Sequence, residues 1–155
     1  MNDKIKKFSM SAMRVKYGGH SSVSRIEKET LVACGVRRSH KTKGGQMYCL
    51  NLSIHPRILS KLGWDGREIV DLDIELPNAM LCKADPETGV QLTRSGGQSE
   101  LVPARSVCRF TLYPDMRWPA KVLLAKPCTE VECDEGILAF RLPDSLLIEI
   151  QQAQG

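Results

Sequence analysis

Apolar and polar positions follow their most regular pattern between Ser53 and Leu76, "SIHPRILSKLGWDGREIVDLDIEL". Upstream, Met47–Ile54 is apolar with polar breaks at Asn51 and Ser53, which predicts a strand. Pro56 suits the first turn of a helix, where its missing N–H has no partner to lose. Ser53 or His55 is placed to cap that helix, and Ile58, Leu59 and Leu62 give it one apolar face. Gly63 lies where a helix ends in a left-handed residue. Asp65-Gly66 is a turn signal. From Glu68 to Leu76 the period becomes two. Val70, Leu72, Ile74 and Leu76 point one way, and Asp71, Asp73 and Glu75 the other, as in a half-buried strand.

The rest of the chain reads as short strands. "TLVACGV" (Thr30–Val36) predicts a first strand, and "RRSHKTKGGQ" after it a basic loop or long hairpin connection. "NAMLCKA" and "VQLTR" follow the acidic strand, and "SGGQSE" (Ser95–Glu100) reads as a linker. Beyond it, "SVCRFTLY", "AKVLLA", "TEVEC" and "GILAFRL" are separated by Pro119, Pro127 and Asp134-Glu135-Gly136. Pro143-Asp144 then opens a C-terminal helix. Many short strands cut by Pro and Gly predict a mainly β protein with short helices, of α+β class, built as a small barrel of antiparallel strands or a sandwich. "CLNLSIHPRILSKL" and "ILAFRLPDSLLIEI" share a strand, a Pro junction and a short helix, so an internally duplicated chain is an alternative. Three parts result: a partly flexible arm over 1–29, a strand–helix–strand half over 30–94, and a second strand-rich half over 101–155.

Composition adds a core and a charge asymmetry. Of 155 residues, 42% are hydrophobic and only 5% aromatic, so the core must come from Leu, Ile and Val. No apolar run reaches the ~18 residues of a membrane span, and no signal peptide is visible, so the expected location is the cytoplasm. The net charge of +4 is unevenly spread. Through Gly44 there are eleven Lys and Arg against three acidic residues, and the remainder carries eleven against fifteen. A basic region on a mildly acidic body points to a polyanionic partner. Solvation of one face is the plainer alternative.

The unit from Ser53 to Leu76 resembles the AbrB/MazE/SpoVT swapped-hairpin family. Ile54 falls on the residue before that family's Pro, Leu62-Gly63-Trp64 on its Leu-Gly-apolar stop, Arg67-Glu68 on its charged turn, and Val70, Leu72 and Ile74 on its inward strand positions. The resemblance covers about a sixth of the chain. His55 rather than Pro56 occupies the family's Pro position, and Gly44-Gly45 lies several residues upstream of its usual Gly. Family members are mostly small DNA-binding regulators or antitoxins, whose hairpins interleave in a homodimer. The resemblance implies that basic residues before and on the helix face DNA: Arg37, Arg38, Lys41 and Lys43, with Arg57 and Lys61 nearby.

Catalytic chemistry is not visible. "GGQMY" and "SGGQSE" lack the spacing and following helix of a phosphate loop, and no metalloprotease or nucleophile-elbow motif occurs. Six cysteines form no tight metal knuckle. Cys34 with His40, Cys49 with His55 and Cys128 with Cys133 have only loose spacings. Reduced, metal-free thiols are therefore expected, and no cofactor. Trp118, between Arg117 and Pro119, is either a base-stacking platform or a packed loop anchor. The face Asp71, Asp73, Glu75 is a solvated strand face or a cation site.

The leading expectation is a non-enzymatic nucleic-acid-binding protein that binds duplex DNA as a small transcription regulator, as a homodimer or through two internal halves. The alternative is a small protein of the phage or mobile-element type that binds and modulates another protein.

Overall fold

The computed structural model describes Ser9, Ile26 and residues 29–95 and 104–155. A hairpin comes first, β1 (Val32–Thr42) and β2 (Gly45–Ile54), followed by α1 (Pro56–Leu62). A second hairpin joins β3 (Ile69–Glu75) to β4 (Asn78–Lys83), and β5 (Val90–Gln91) runs through Leu92 into β6 (Thr93–Ser95). After residue 104 come β7 (Arg105–Leu112), a single 3₁₀ turn at Pro114–Met116, β8 (Leu123–Pro127), β9 (Thr129–Asp134), β10 (Ile137–Arg141) and α2 (Asp144–Gln154). Most of the expected 1–29 arm, and the expected linker beyond Ser95, lie outside the described residues.

The strands form two five-stranded antiparallel sheets, ordered β6-β7-β2-β1-β8 and β5-β3-β4-β10-β9. We call them sheets A and B. The mainly β class with short helices is as expected, but the barrel does not close. Among the described residues the chain instead passes between the sheets three times, once through α1 and twice at single-residue bends. Leu92 joins β5 in sheet B to β6 in sheet A, and Cys128 joins β8 in sheet A to β9 in sheet B. Both bend residues are buried, and each keeps its backbone paired: Leu92 N–H donates to Glu68 C=O at 2.9 Å and Cys128 N–H to Val32 C=O at 2.8 Å. A bend that stays hydrogen-bonded and apolar turns a corner without exposing peptide groups. Each sheet takes strands from both sides of residues 96–103.

One core lies between the sheets. Val32, Cys34, Val36, Leu50, Leu52, Ile54 and Cys108 from sheet A join Val70, Leu81, Leu138 and Phe140 from sheet B. Leu142, Leu146 and Ile150 bring α2 into the same cluster. The opening unit folds as its pattern dictates. His55 caps α1, its Nδ1 accepting from the Arg57 N–H at 3.0 Å. Gly63 takes φ 74°, a left-handed stop that glycine adopts without Cβ strain. Ile58 and Leu59 are buried and Leu62 is partly buried against the core. Val70, Leu72 and Ile74 face inward, whereas Leu76 falls in the β3–β4 turn and is exposed.

Gly35 marks the closest approach of β8. A Cβ there would meet Leu123 O at 2.7 Å and the Ala125 Cα and N at 2.8 Å. The β1–β8 register slips at this point, between Cys34 and Val36. Among the described residues, no helix is long and apolar enough to cross a membrane.

Candidate nucleic-acid interface

The β1–β2 hairpin outruns its neighbours. β8 pairs with β1 only from Ala33 to Val36, and β7 pairs with β2 only from Tyr48 to Ile54. From Arg37 to Met47 the hairpin is a two-stranded ribbon, about 20 Å long at the usual strand rise. Its sequence, RRSHKTKGGQM, contains Arg37, Arg38, Lys41 and Lys43 and no carboxylate. Every residue from Arg37 to Gly45 is exposed.

The ladder slips by one residue inside the ribbon. Arg38 pairs with Tyr48, yet Lys41 pairs with Gln46, so Ser39 and His40 together stand against Met47. This is a β-bulge, which raises local twist and re-aims side chains. Gln46 holds it, its amide nitrogen donating to the carbonyls of Ser39 at 3.1 Å, His40 at 3.4 Å and Met47 at 2.8 Å. Because cross-strand partners share a face, Arg38, Lys41, Gln46 and Tyr48 lie on one side. Arg37 lies on the other, in a row with Cys49 and Thr111.

The six basic residues expected at an interface separate into two groups. Arg37, Arg38 and Lys41 are on β1 rather than in a loop, and Lys43 is in the turn. The loop expectation is corrected for a physical reason: a ribbon with both faces in water has no apolar alternation to announce it. Arg57 and Lys61 are on α1, which leaves from the far end of β2, roughly 30 Å from the ribbon tip at the usual strand rise. Arg57 lies 3.9 Å from Glu29 in an exposed ion pair. Lys61 lies near Cys133, where its charge opposes the upward push of burial on that thiol.

The structure adds two arginines that the pattern did not single out. Arg109 stands on β7, its Nε donating to Asn51 Oδ1 at 3.2 Å on the outward face of sheet A. Arg105 is half-buried and ties strands together, donating to Ser53 Oγ at 2.6 Å, Ser53 O at 3.2 Å and Thr30 O at 2.7 Å. Tyr113, just beyond β7, is 61% exposed. Trp118, by contrast, packs partly buried against the core as a loop anchor.

Charge is divided between the sheets. The outward face of sheet B carries Asp71, Asp73 and Glu75 on β3 and Glu132 on β9, with Arg141 as a cation on the same side. Four thiols, Cys34, Cys49, Cys108 and Cys128, are buried. The Cys34 thiol is pushed up by its hydrogen bond with Cys128 and by burial, and burial takes Cys108 to about 12. Among the described residues, no group of three or more His, Cys, Asp and Glu side chains is placed to hold a metal ion.

Comparison with protein-family models, with curated proteins and with solved structures finds no match to this chain.

Proposed function

We propose that this protein binds nucleic acid, duplex DNA foremost, through the β1–β2 ribbon, and acts as a small transcription regulator. The observation that carries the reading is the ribbon itself: four exposed cations on β1 and its turn, with no carboxylate, in a hairpin that projects past the neighbouring strands. A two-stranded ribbon is one of the few protein elements that enter the major groove, about 12 Å wide. Its Lys and Arg neutralise phosphates and release counterions, which supplies affinity without reading sequence. The acidic face of sheet B disfavours approach from that side, so the field of the whole molecule orients the ribbon toward a polyanion.

Fluorescence anisotropy with labelled duplex DNA between 50 and 200 mM salt (on the order of typical assay conditions) tests this. Affinity should fall linearly on a log–log plot, with a slope of about −0.9 for each phosphate neutralised. Replacing Arg37, Arg38, Lys41 and Lys43 together by Ala should flatten that slope by about 3–4 units. If the parent protein binds no duplex at low salt, the reading fails, and an acidic protein surface becomes the partner to seek.

A further inference from the structure

We infer that the outward face of sheet A, at the root of the ribbon, takes an unpaired base on Tyr113 with Arg37 and Arg109 on the flanking phosphates. The inference rests on the nucleic-acid reading above and deepens it, because it names single-stranded chain as a ligand of a surface beside the ribbon.

Backbone geometry carries the first step. Along β7 the buried Ser106, Cys108 and Leu112 alternate with Val107, Arg109 and Thr111. Tyr113 has φ −81° and ψ 149°, still extended, so the alternation continues and its ring falls on the side of Arg109 and Thr111. The β2–β7 register, carried one step past Tyr48–Leu112, sets Tyr113 beside Met47 at the base of the ribbon. Its N–H is held by Met116 Sδ at 3.3 Å, which fixes the backbone while leaving the ring outside.

The cations come next. Arg37 lies two strands across from Thr111, in the row Arg37–Cys49–Thr111, hence about 10 Å away at the usual strand spacing. Arg109 is four residues from Tyr113 on the same strand face, about 13 Å along it. The bond from Arg109 Nε to Asn51 Oδ1 directs its guanidinium before any ligand arrives. Between them lie Cys49, which is buried, and Thr111, which is partly buried, so the exposed surface here is made by Arg37, Arg109 and Tyr113. The carboxylate nearest in sequence is Asp115, in the 3₁₀ turn. An exposed ring with flanking cations is the arrangement that binds single strands, since every base has a face to stack while Arg takes the backbone. A duplex keeps its bases stacked on each other and gives Tyr113 nothing to hold.

Binding of a labelled 12-nucleotide strand, about the footprint of one small single-strand-binding fold, is compared with binding of its duplex. Tyr113→Ala should weaken the single strand at least about five-fold, the lower end of one lost stacking contact, and leave duplex affinity and the salt slope of both unchanged. Tyr113→Phe should restore single-strand binding, and Tyr113→Trp should gain a fluorescence that the single strand quenches. Matching thermal melts check that the variants are folded. Single-strand affinity unchanged in Tyr113→Ala while the parent binds duplex overturns this inference alone. Equal losses for both ligands overturn the assignment to unpaired bases. No binding of either ligand by the parent overturns the inference together with the reading beneath it.

Discussion

Gln46 donates through its side-chain amide to the carbonyl of Ser39 at 3.1 Å, across the slip in the β1–β2 ladder. The bond ties the bulge to the strand opposite, so the ribbon's shape depends on one uncharged side chain. A single net hydrogen bond contributes only about 0.5–1.5 kcal/mol, and less when exposed. Gln46→Ala should therefore leave the unfolding midpoint almost unchanged while the amides of residues 38–47 exchange faster with deuterium. Equal exchange in the two proteins would mean that the backbone ladder alone holds the bulge.

Gly35 tests the packing of the corner strand. The three atoms that a Cβ would meet at 2.7–2.8 Å belong to the backbone of β8, which cannot swing aside as a side chain does. Overpacking a tight site typically costs ~1–3 kcal/mol. Chemical denaturation of Gly35→Ala should show a loss of that size, or a shifted β8. A fully stable variant with β8 unmoved would contradict the close approach.

Within α1, position separates two similar side chains. Ile58 is fully buried, so Ile58→Ala should cost ~2–5 kcal/mol. Leu62 is only partly buried, and Leu62→Ala should cost about half as much, since less apolar area is lost to water. Denaturation curves on both variants give the ratio directly. A larger loss at Leu62 would reverse the order of burial along the helix.

What the sequence made legible follows from which residues have a core to face. Val70, Leu72 and Ile74 alternate against Asp71, Asp73 and Glu75 because one side of β3 is packed and the other is wet. Gly63 and Pro56 are legible because helix ends have chemical requirements of their own. The ribbon beyond Val36 is illegible as strand because water lies on both sides, and no residue type announces the bulge at Ser39–His40. Simple alternation from Arg37 would place Lys41 with Arg37, whereas the bulge puts it with Arg38. Arg109 was hidden for another reason: its partner Asn51 is 58 residues away, and only strand pairing brings them together. Barrel and sandwich were not separable from the sequence, because strand count and Pro spacing do not say where a sheet ends. The bends at Leu92 and Cys128 decide that.

The thiols give a pH-dependent stability whose sign is fixed by burial. Cys108 is raised from about 9.0 unfolded to about 12 folded, because the core disfavours its thiolate. Below the unfolded value both states keep the proton, and Cys108 adds no pH dependence. Between about pH 9 and pH 12 the unfolded chain loses that proton while the folded one holds it, so stability falls as pH rises. Cys34 shifts in the same direction, through its bond with Cys128 first and burial second. Denaturation across this window should give Cys108→Ala a shallower decline than the parent, whatever its stability at neutral pH. Alkylation at pH 8 (on the order of a free thiol's ordinary pKa) adds an independent reading by mass spectrometry. Cys133 and Cys82 are partly buried and should react first, and Cys34, Cys49, Cys108 and Cys128 only on unfolding. Early labelling of Cys108 or Cys34 in the folded protein would remove them from the core.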